Sequence, residues 1–482
     1  MTLRRVLFYA AVSIVTISCA SPREARRPPT IQLAPCTVLR SSEPALCGRH
    51  DVFEDRAAQA GRRLSLSIVV VPALRRPPAG DPVFVLVGGP GLGAASGVRG
   101  DGEWLTNTRW RERDIVFVDQ RGTGASHRLP CPFGEGASLK ALFTDLLPVG
   151  KIRACREAAE AVADLTLYTT PIAMDDLDEV RAALGYDRID LYGVSYGAQA
   201  ALQYLRQYPA RVRAIALAGV ATPAAKQPLS FARAAHDAMG ALIADCAADA
   251  VCGRSFPNLE AELRAVLAAL DTGPATFELF NVTTTTRESV SMSRAVFVER
   301  LRLMLYDLEA ASRVPLVIHR AAQSDWAPFV RMSPAGVTAG VSAMYLTVTC
   351  AETVARITEA DIVRETRDTF VGDYRTRAHL RACREWPRAR VPAAYYDPVR
   401  SDVPALILSG ELDAATPPRF ARMAARSLPN SRHIIARNAA HADWHGCMSS
   451  LVAEFFARGS ARDLDVACVQ SLRRPPFVTA LP

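Results

Sequence analysis

The chain has 482 residues, 49% of them hydrophobic and 22% charged, with a formal net charge of +8 at pH 7. That length calls for one large domain with a sizeable insertion, or for two domains, and the composition excludes a disordered or membrane-embedded chain. The positive charge is carried almost wholly by arginine: the lysines are Lys140, Lys151 and Lys226, and the arginines are scattered apart from short groups such as Arg23, Arg26 and Arg27. Without a long basic stripe interleaved with aromatics, no nucleic-acid partner is expected.

At the N-terminus, Arg4 and Arg5 precede an apolar segment from Val6 to Ile17. It is short for a bilayer span and suits the core of a signal peptide, so residues 1–20 are read as a signal and the chain as exported, periplasmic or secreted. Two processing routes stay open. "TISC" resembles a lipoprotein box that would attach the protein to a membrane through lipidated Cys19, with Thr16 departing from the usual aliphatic residue; Ser18 and Ala20 instead fit cleavage after Ala20.

Eleven cysteines leave ten once Cys19 is set aside, enough for five bridges in an oxidising compartment. Sequence-local pairs would be Cys36 with Cys47, Cys131 with Cys155, Cys246 with Cys252 and Cys447 with Cys468, leaving Cys350 and Cys383 by elimination. Connectivity is not fixed by spacing. No CxxC or HxxxH-type cluster occurs, so neither a metal nor another cofactor is expected.

A Pro- and Arg-rich linker covers roughly residues 21 to 35, and residues 21–50 are read as linker and extension. Residues 51–225 then alternate apolar runs with helical patterns. Strands are predicted at Leu66 to Val71, Val83 to Val87, Ile115 to Val118, Ile189 to Tyr192 and Ala214 to Ala218, and further on at Ala405 to Ser409 and His433 to Ala436. Short β-branched runs separated by helices give an α/β fold, a mostly parallel central sheet with helices on both faces. In "MDDLDEVRAALG", Asp176 with Glu179 makes a capping-box-like helix start, Leu177, Val180 and Leu184 share a face, and Gly185 can close the helix. Across residues 226–400 helical periodicity dominates, as in "LEAELRAVLAAL" and "AVFVERLRLMLYDL", with a doubtful strand at "VTTTT". This is read as an inserted, mainly helical cap, because strands resume in residues 401–482.

The stretch "IDLYGVSYGAQAALQYL" runs from a strand into a helix marked by Ala198, Ala201, Leu202 and Leu205. "GVSYG" is therefore a strand-to-helix turn with Ser195 at its tip, flanked by Gly193 and Gly197 where side chains would collide with neighbouring backbone. The helix start favours developing negative charge there. "LVGGPGLG" follows a strand, and its bare amides suit an oxyanion; the hole is assigned to the backbone amides of Gly89 and Tyr196. A phosphate-cradling role is disfavoured because this loop lacks a Walker lysine and the GxGxxG spacing.

A serine needs a base and the base needs an orienting acid. Asp413 lies in the loop after one late strand and His441 after the next, with a helix from about Pro418 to Ser427 between them. Groups beyond the carboxyl ends of parallel strands converge, so Ser195, Asp413 and His441 are the predicted catalytic residues, in the chain order of the α/β-hydrolases. Glu411 could replace Asp413, and His445 could replace His441. The rival readings are an esterase or amidase on small acyl substrates, and a non-catalytic binding protein on a hydrolase scaffold.

With these residues in view the chain resembles the α/β-hydrolase peptidases of the proline iminopeptidase and tripeptidyl aminopeptidase group. The resemblance rests on "GGPG" at Gly88 to Gly91, "DQRGTGAS" at Asp119 to Ser126, "GVSYG", "SGELDAATPP" at Ser409 to Pro418, "AAH" before the final helix, and a "GC…DVAC" tail with Cys447 and Cys468. It implies an α/β-hydrolase fold and an aminopeptidase acting on short peptides, with Asp119 and Arg121 as a buried structural brace. Val87 stands where many iminopeptidases carry His, and Ala439 and Ala440 replace the more usual Gly before the histidine. Family members bind the substrate amine through carboxylates in or near the cap, which makes Glu352, beside Cys350, the candidate amine-binding residue.

Overall fold

The computed structural model describes residues 30–38, 44–98, 107–133, 139–281, 284–333, 341–441 and 443–480. The signal segment and Cys19 lie outside them. Eleven strands are described: β1 (Ala34–Cys36), β2 (Ala45–Asp55), β3 (Ala60–Val71), β4 (Val83–Leu86), β5 (Ile115–Val118), β6 (Ile189–Val194), β7 (Val212–Ala218), β8 (Ala275–Asn281), β9 (Thr286–Met292), β10 (Ala405–Gly410) and β11 (Ser431–Ala436). Nine form one sheet in the order β1-β2-β3-β5-β4-β6-β7-β10-β11, and β8 pairs with β9 alone. From β5 to β11 every neighbouring pair is parallel, while β1, β2 and β3 join antiparallel.

The central strands read as unbroken apolar runs because both faces of the sheet are covered. Alternate residues enter two separate cores. Phe84, Leu86, Val116 and Val118 pack with the helices Val149–Glu160, Thr170–Ala183 and Tyr196–Gln207, whereas Val83, Val85, Ile115 and Phe117 pack with the helix Cys447–Arg458. Burying one such side chain contributes about 1.5–3 kcal/mol, so a one-residue slip that exchanged the two sets would be costly.

The predicted parallel strands appear within two residues of their expected bounds at their C-terminal ends. The N-terminal part differs. β1 and most of β2 fall in the stretch read as linker and extension, and β3 starts at Ala60 rather than Leu66. Arg49, His50, Asp51, Arg62 and Arg63 lie on this hairpin, where all but His50 are exposed, so its pattern is too polar to read as a strand. A second correction concerns "MDDLDEVRAALG". The helix begins one and a half turns earlier, at Thr170, and Asp176 is a buried interior residue bound to Arg121 and Arg56 rather than a cap. Gly185, at φ +77°, does close it.

Between β7 and β10 the chain forms mainly helices, including Phe231–Ala248, Leu259–Thr272, Arg294–Met304 and Ala343–Glu352. Of the doubtful "VTTTT", Val282 and Thr283 lie outside the described residues and Thr286 opens β9, which pairs antiparallel with β8; Phe277 on β8 packs against Phe143 and Trp326. Five disulfides join Cys36 to Cys47, Cys131 to Cys155, Cys246 to Cys252, Cys350 to Cys383 and Cys447 to Cys468, the pairing the spacing suggested. No described helix is long and apolar enough to cross a membrane.

Candidate active site

Register fixes where the site forms. Leu86 pairs with Gly193, Val194 with Ala218, Ala218 with Leu408, and Gly410 with Ala436, so the carboxyl ends of five parallel strands share one edge. The connections diverge at β4 and β6, and the crevice beyond that switch point is where such sheets hold ligands.

Ser195 follows β6 with φ 59° and ψ −123°, a backbone state costly for a non-glycine residue and sustained by its surroundings. A Cβ on Gly197 would lie 2.0 Å from the Leu86 carbonyl oxygen, and one on Gly193 would lie 2.4 Å from the Gly197 carbonyl oxygen. The two flanking glycines are thus required by backbone contacts. The loop after β4 crosses directly against the serine: a Cβ on Gly88 would be 3.1 Å from Ser195 Cβ. Gly89 follows at φ +115°, and Tyr196 opens the helix behind Ser195. Of the two backbones named for the oxyanion, Tyr196 follows Ser195 directly and Gly89 follows the glycine that packs against it.

The three separated side chains meet. Ser195 Oγ lies 3.0 Å from His441 Nε2, and His441 Nδ1 lies 2.9 and 3.0 Å from the two oxygens of Asp413. A carboxylate accepts only, so Nδ1 carries the proton and Nε2 is left to accept from the serine hydroxyl. Asp413 is buried, which disfavours its charge, yet the His441 imidazole and donors from Thr416 outweigh burial and hold its carboxyl below the usual range. Glu411 instead faces solvent near Arg437, and His445 is exposed.

Two participants were not legible in the sequence. Thr416 donates through N–H to Asp413 Oδ1 and through Oγ1 to Oδ2, each at 2.7 Å. Its place in "DAATPP", three residues after the acid, is the only available signal. Tyr306, from the segment between β7 and β10, sets its ring edge-on to His441 at a centroid distance of 4.9 Å, and its hydroxyl accepts from Arg302 at 2.7 Å. Nothing in its helical surroundings marks it.

Glu352 stands apart from its expected setting. It is fully buried, and its oxygens accept from Thr170 N at 2.6 Å, Thr170 Oγ1 at 2.8 Å, Gln199 Nε2 at 3.4 Å and the Tyr395 hydroxyl. Thr170 Oγ1 also meets the Tyr196 hydroxyl at 2.7 Å. Burial pushes the Glu352 carboxyl up to about 7 against these hydrogen bonds. With both oxygens engaged, the group braces the elbow helix and is closed to a substrate amine in this conformation. Asp119 and Arg121 are braces, each with other partners: Arg121 binds Asp176 at 2.6 and 2.8 Å and the carbonyls of Phe53, Glu54 and Leu167, while Asp119 accepts from Ser96 and Ala125. Among the described residues no group of side chains could hold a metal ion.

Residues 368–468 match the family model described as TAP-like protein. The chain is 29% identical over 280 residues to the serine protease Hip1 of Mycobacterium tuberculosis, covering 50% of this chain and 51% of that protein. It is 31% identical over 143 residues to the proline iminopeptidase of Neisseria gonorrhoeae, covering 30% and 34% respectively. Over 202 residues it is 29% identical to the tripeptidyl aminopeptidase of Streptomyces lividans, covering 38% of this chain and 36% of the relative. The chain thus spans about half the length of Hip1 and about a third of the other two. The mostly parallel sheet and the strand-turn-helix at Ser195 give the chain an α/β-hydrolase fold, and its residues 368–468 are similar to the TAP-like family.

Proposed function

We propose that the protein is an exported serine hydrolase that releases short N-terminal pieces from peptides through an acyl-enzyme. The observation that carries this reading is the hydrogen-bonded series Ser195, His441, Asp413 at 3.0 and 2.9 Å, at the carboxyl edge of a parallel sheet. His441 Nε2 takes the Ser195 proton as Oγ attacks the acyl carbon, and Asp413 stabilises the imidazolium. The amides of Gly89 and Tyr196 receive the oxyanion, each donor contributing roughly 3–4 kcal/mol to the transition state. His441 then gives its proton to the leaving amine, and water, deprotonated by the same imidazole, releases the acyl group.

Peptides are the favoured substrate because the relatives bear protease or peptidase names, one of them a proline iminopeptidase and one a tripeptidyl aminopeptidase. Export is supported by the five disulfides and by the apolar segment after Arg4 and Arg5. A library of free-amine and N-acetylated peptides, with product masses read out and Ser195→Ala as control, tests the reading. Cleavage near free N-termini, absent in the variant, is expected. Equal rates on acetylated peptides would remove the aminopeptidase claim, and turnover confined to plain acyl esters would assign an esterase.

A further inference from the structure

We propose that the protein carries a second small-molecule site, behind the helix Tyr196–Gln207, which takes a ligand with an apolar body and a single carboxylate. A cavity of about 270 Å³ lies between this helix, the loop after β7, the segment Tyr395–Arg400 and the end of the helix Pro418–Ala425. Ser195, Asp413, His441 and Gly89 do not line it.

Its chemistry is divided by depth. Leu202, Pro223, Val399 and Ala424 provide apolar walls, and Gln199 with Tyr395 forms a polar inner end that is already hydrogen-bonded to Glu352. The charged lining comprises three guanidinium groups, Arg206, Arg400 and Arg426, against one carboxylate, Asp397. Arg400 and Arg426 are exposed, which sets the positive charge at the mouth. A wall of apolar side chains ending in three guanidinium groups against a single carboxylate matches an amphiphilic acid, since the body is removed from water while the carboxylate meets donors suited to it. A neutral ligand of the same shape would leave the arginines unused, and a cation would be repelled.

The test is calorimetric titration of the full folded chain with 4-phenylbutyrate, with 4-phenylbutan-1-ol as the neutral probe. One acid molecule should bind per chain, with the alcohol weaker by about tenfold or more, the difference made by one charge-assisted hydrogen bond. Arg400→Gln combined with Arg426→Gln should weaken the acid by about the same factor and leave the alcohol unchanged. Ala224→Trp, at the exposed wall, should abolish both. If the tryptophan variant fails to fold, the arginine pair, which lies on the surface, decides. Blocking Ser195 with a fluorophosphonate should leave binding intact, which separates this site from the catalytic one. The proposal is overturned if neither probe binds, if acid and alcohol bind equally, if the arginine variant binds the acid as the parent does, or if the Ser195 adduct loses binding.

Discussion

Thr416 grips both oxygens of Asp413, one through its amide and one through its hydroxyl, and the same hydroxyl oxygen lies 3.0 Å from His441 Nδ1. The carboxylate is therefore oriented by the turn that follows it, before the imidazole engages. Thr416→Val keeps the shape and the amide bond but removes the hydroxyl donor, leaving Asp413 Oδ2 with His441 alone among its side-chain partners. We expect kcat to fall about tenfold to a hundredfold, with about 1–2 kcal/mol lost in stability, the usual cost of an unmade bond to a buried charged group. Thr416→Ser should recover most of both. Steady-state kinetics and urea melts of the three proteins check this, and a valine variant with parental kcat would show that the hydroxyl is idle.

Asp413→Asn tests the orienting role more severely. The amide can present its NH2 to Nδ1, which then loses its proton and leaves Nε2 as a donor, unable to accept from Ser195. A fall in kcat of about four orders of magnitude is expected. The parental carboxyl is held below the usual Asp range, so its contribution to stability is present above about pH 3.9 and is lost as acid protonates it at lower pH. Above that pH, Asp413→Asn should be the less stable protein, and the gap should close on acidification. Thermal melts from pH 3 to 8 measure this together with the rate.

Legibility followed burial. β4, β5 and β6 could be located to within two residues because both their faces are covered and the apolar run is continuous; Ser195 and Asp413 were readable because each sits just past such a run, and His441 because it follows the half-buried β11. The β2–β3 hairpin was hidden by its own arginines, which lie where one face meets water. Asp176 looked like a cap because local spacing cannot show that Arg121, 55 positions away in sequence, claims its carboxylate. Tyr306 and Glu352 failed for the same reason in opposite directions. One is brought to the imidazole and the other withdrawn into the core by tertiary packing of the segment between β7 and β10, which leaves no periodic trace in either stretch.

The buried Glu352 makes a stability prediction with a defined sign. Its carboxyl is raised to about 7 in the folded protein, against about 4.3 when unfolded, so the folded state holds a proton that the unfolded state has released between these values. Its favourable contribution is complete below about pH 4.3 and is lost as pH rises through about 7, a change on the order of 3 kcal/mol. Glu352→Gln cannot titrate and can keep most of the hydrogen bonds through rotation of the Thr170 and Tyr395 hydroxyls. The variant should therefore lack this component of the pH dependence and gain on the parent as pH rises from 5 to 8. Parallel slopes for the two proteins across that range would contradict the assignment.

Two glycine substitutions in neighbouring helices should have opposite outcomes, because one glycine is demanded by contact and the other only tolerated. At Gly197 an added Cβ would stand 2.0 Å from the Leu86 carbonyl oxygen, and backbone on β4 cannot retreat without disturbing its pairing with β5 and β6. Gly197→Ala should either fail to fold or displace Ser195 from the 3.0 Å contact with His441. Gly240 lies within the helix Phe231–Ala248, is exposed, and an added Cβ there meets nothing within 4 Å. Gly240→Ala should stabilise the protein by about 0.5–1 kcal/mol, since alanine loses less backbone freedom on folding into a helix, and should leave kcat unchanged. Expression yield, fluorophosphonate labelling and chemical denaturation distinguish the cases. A Gly197→Ala protein that labels and melts like the parent would mean that the turn at Ser195 is far less constrained than its contacts require.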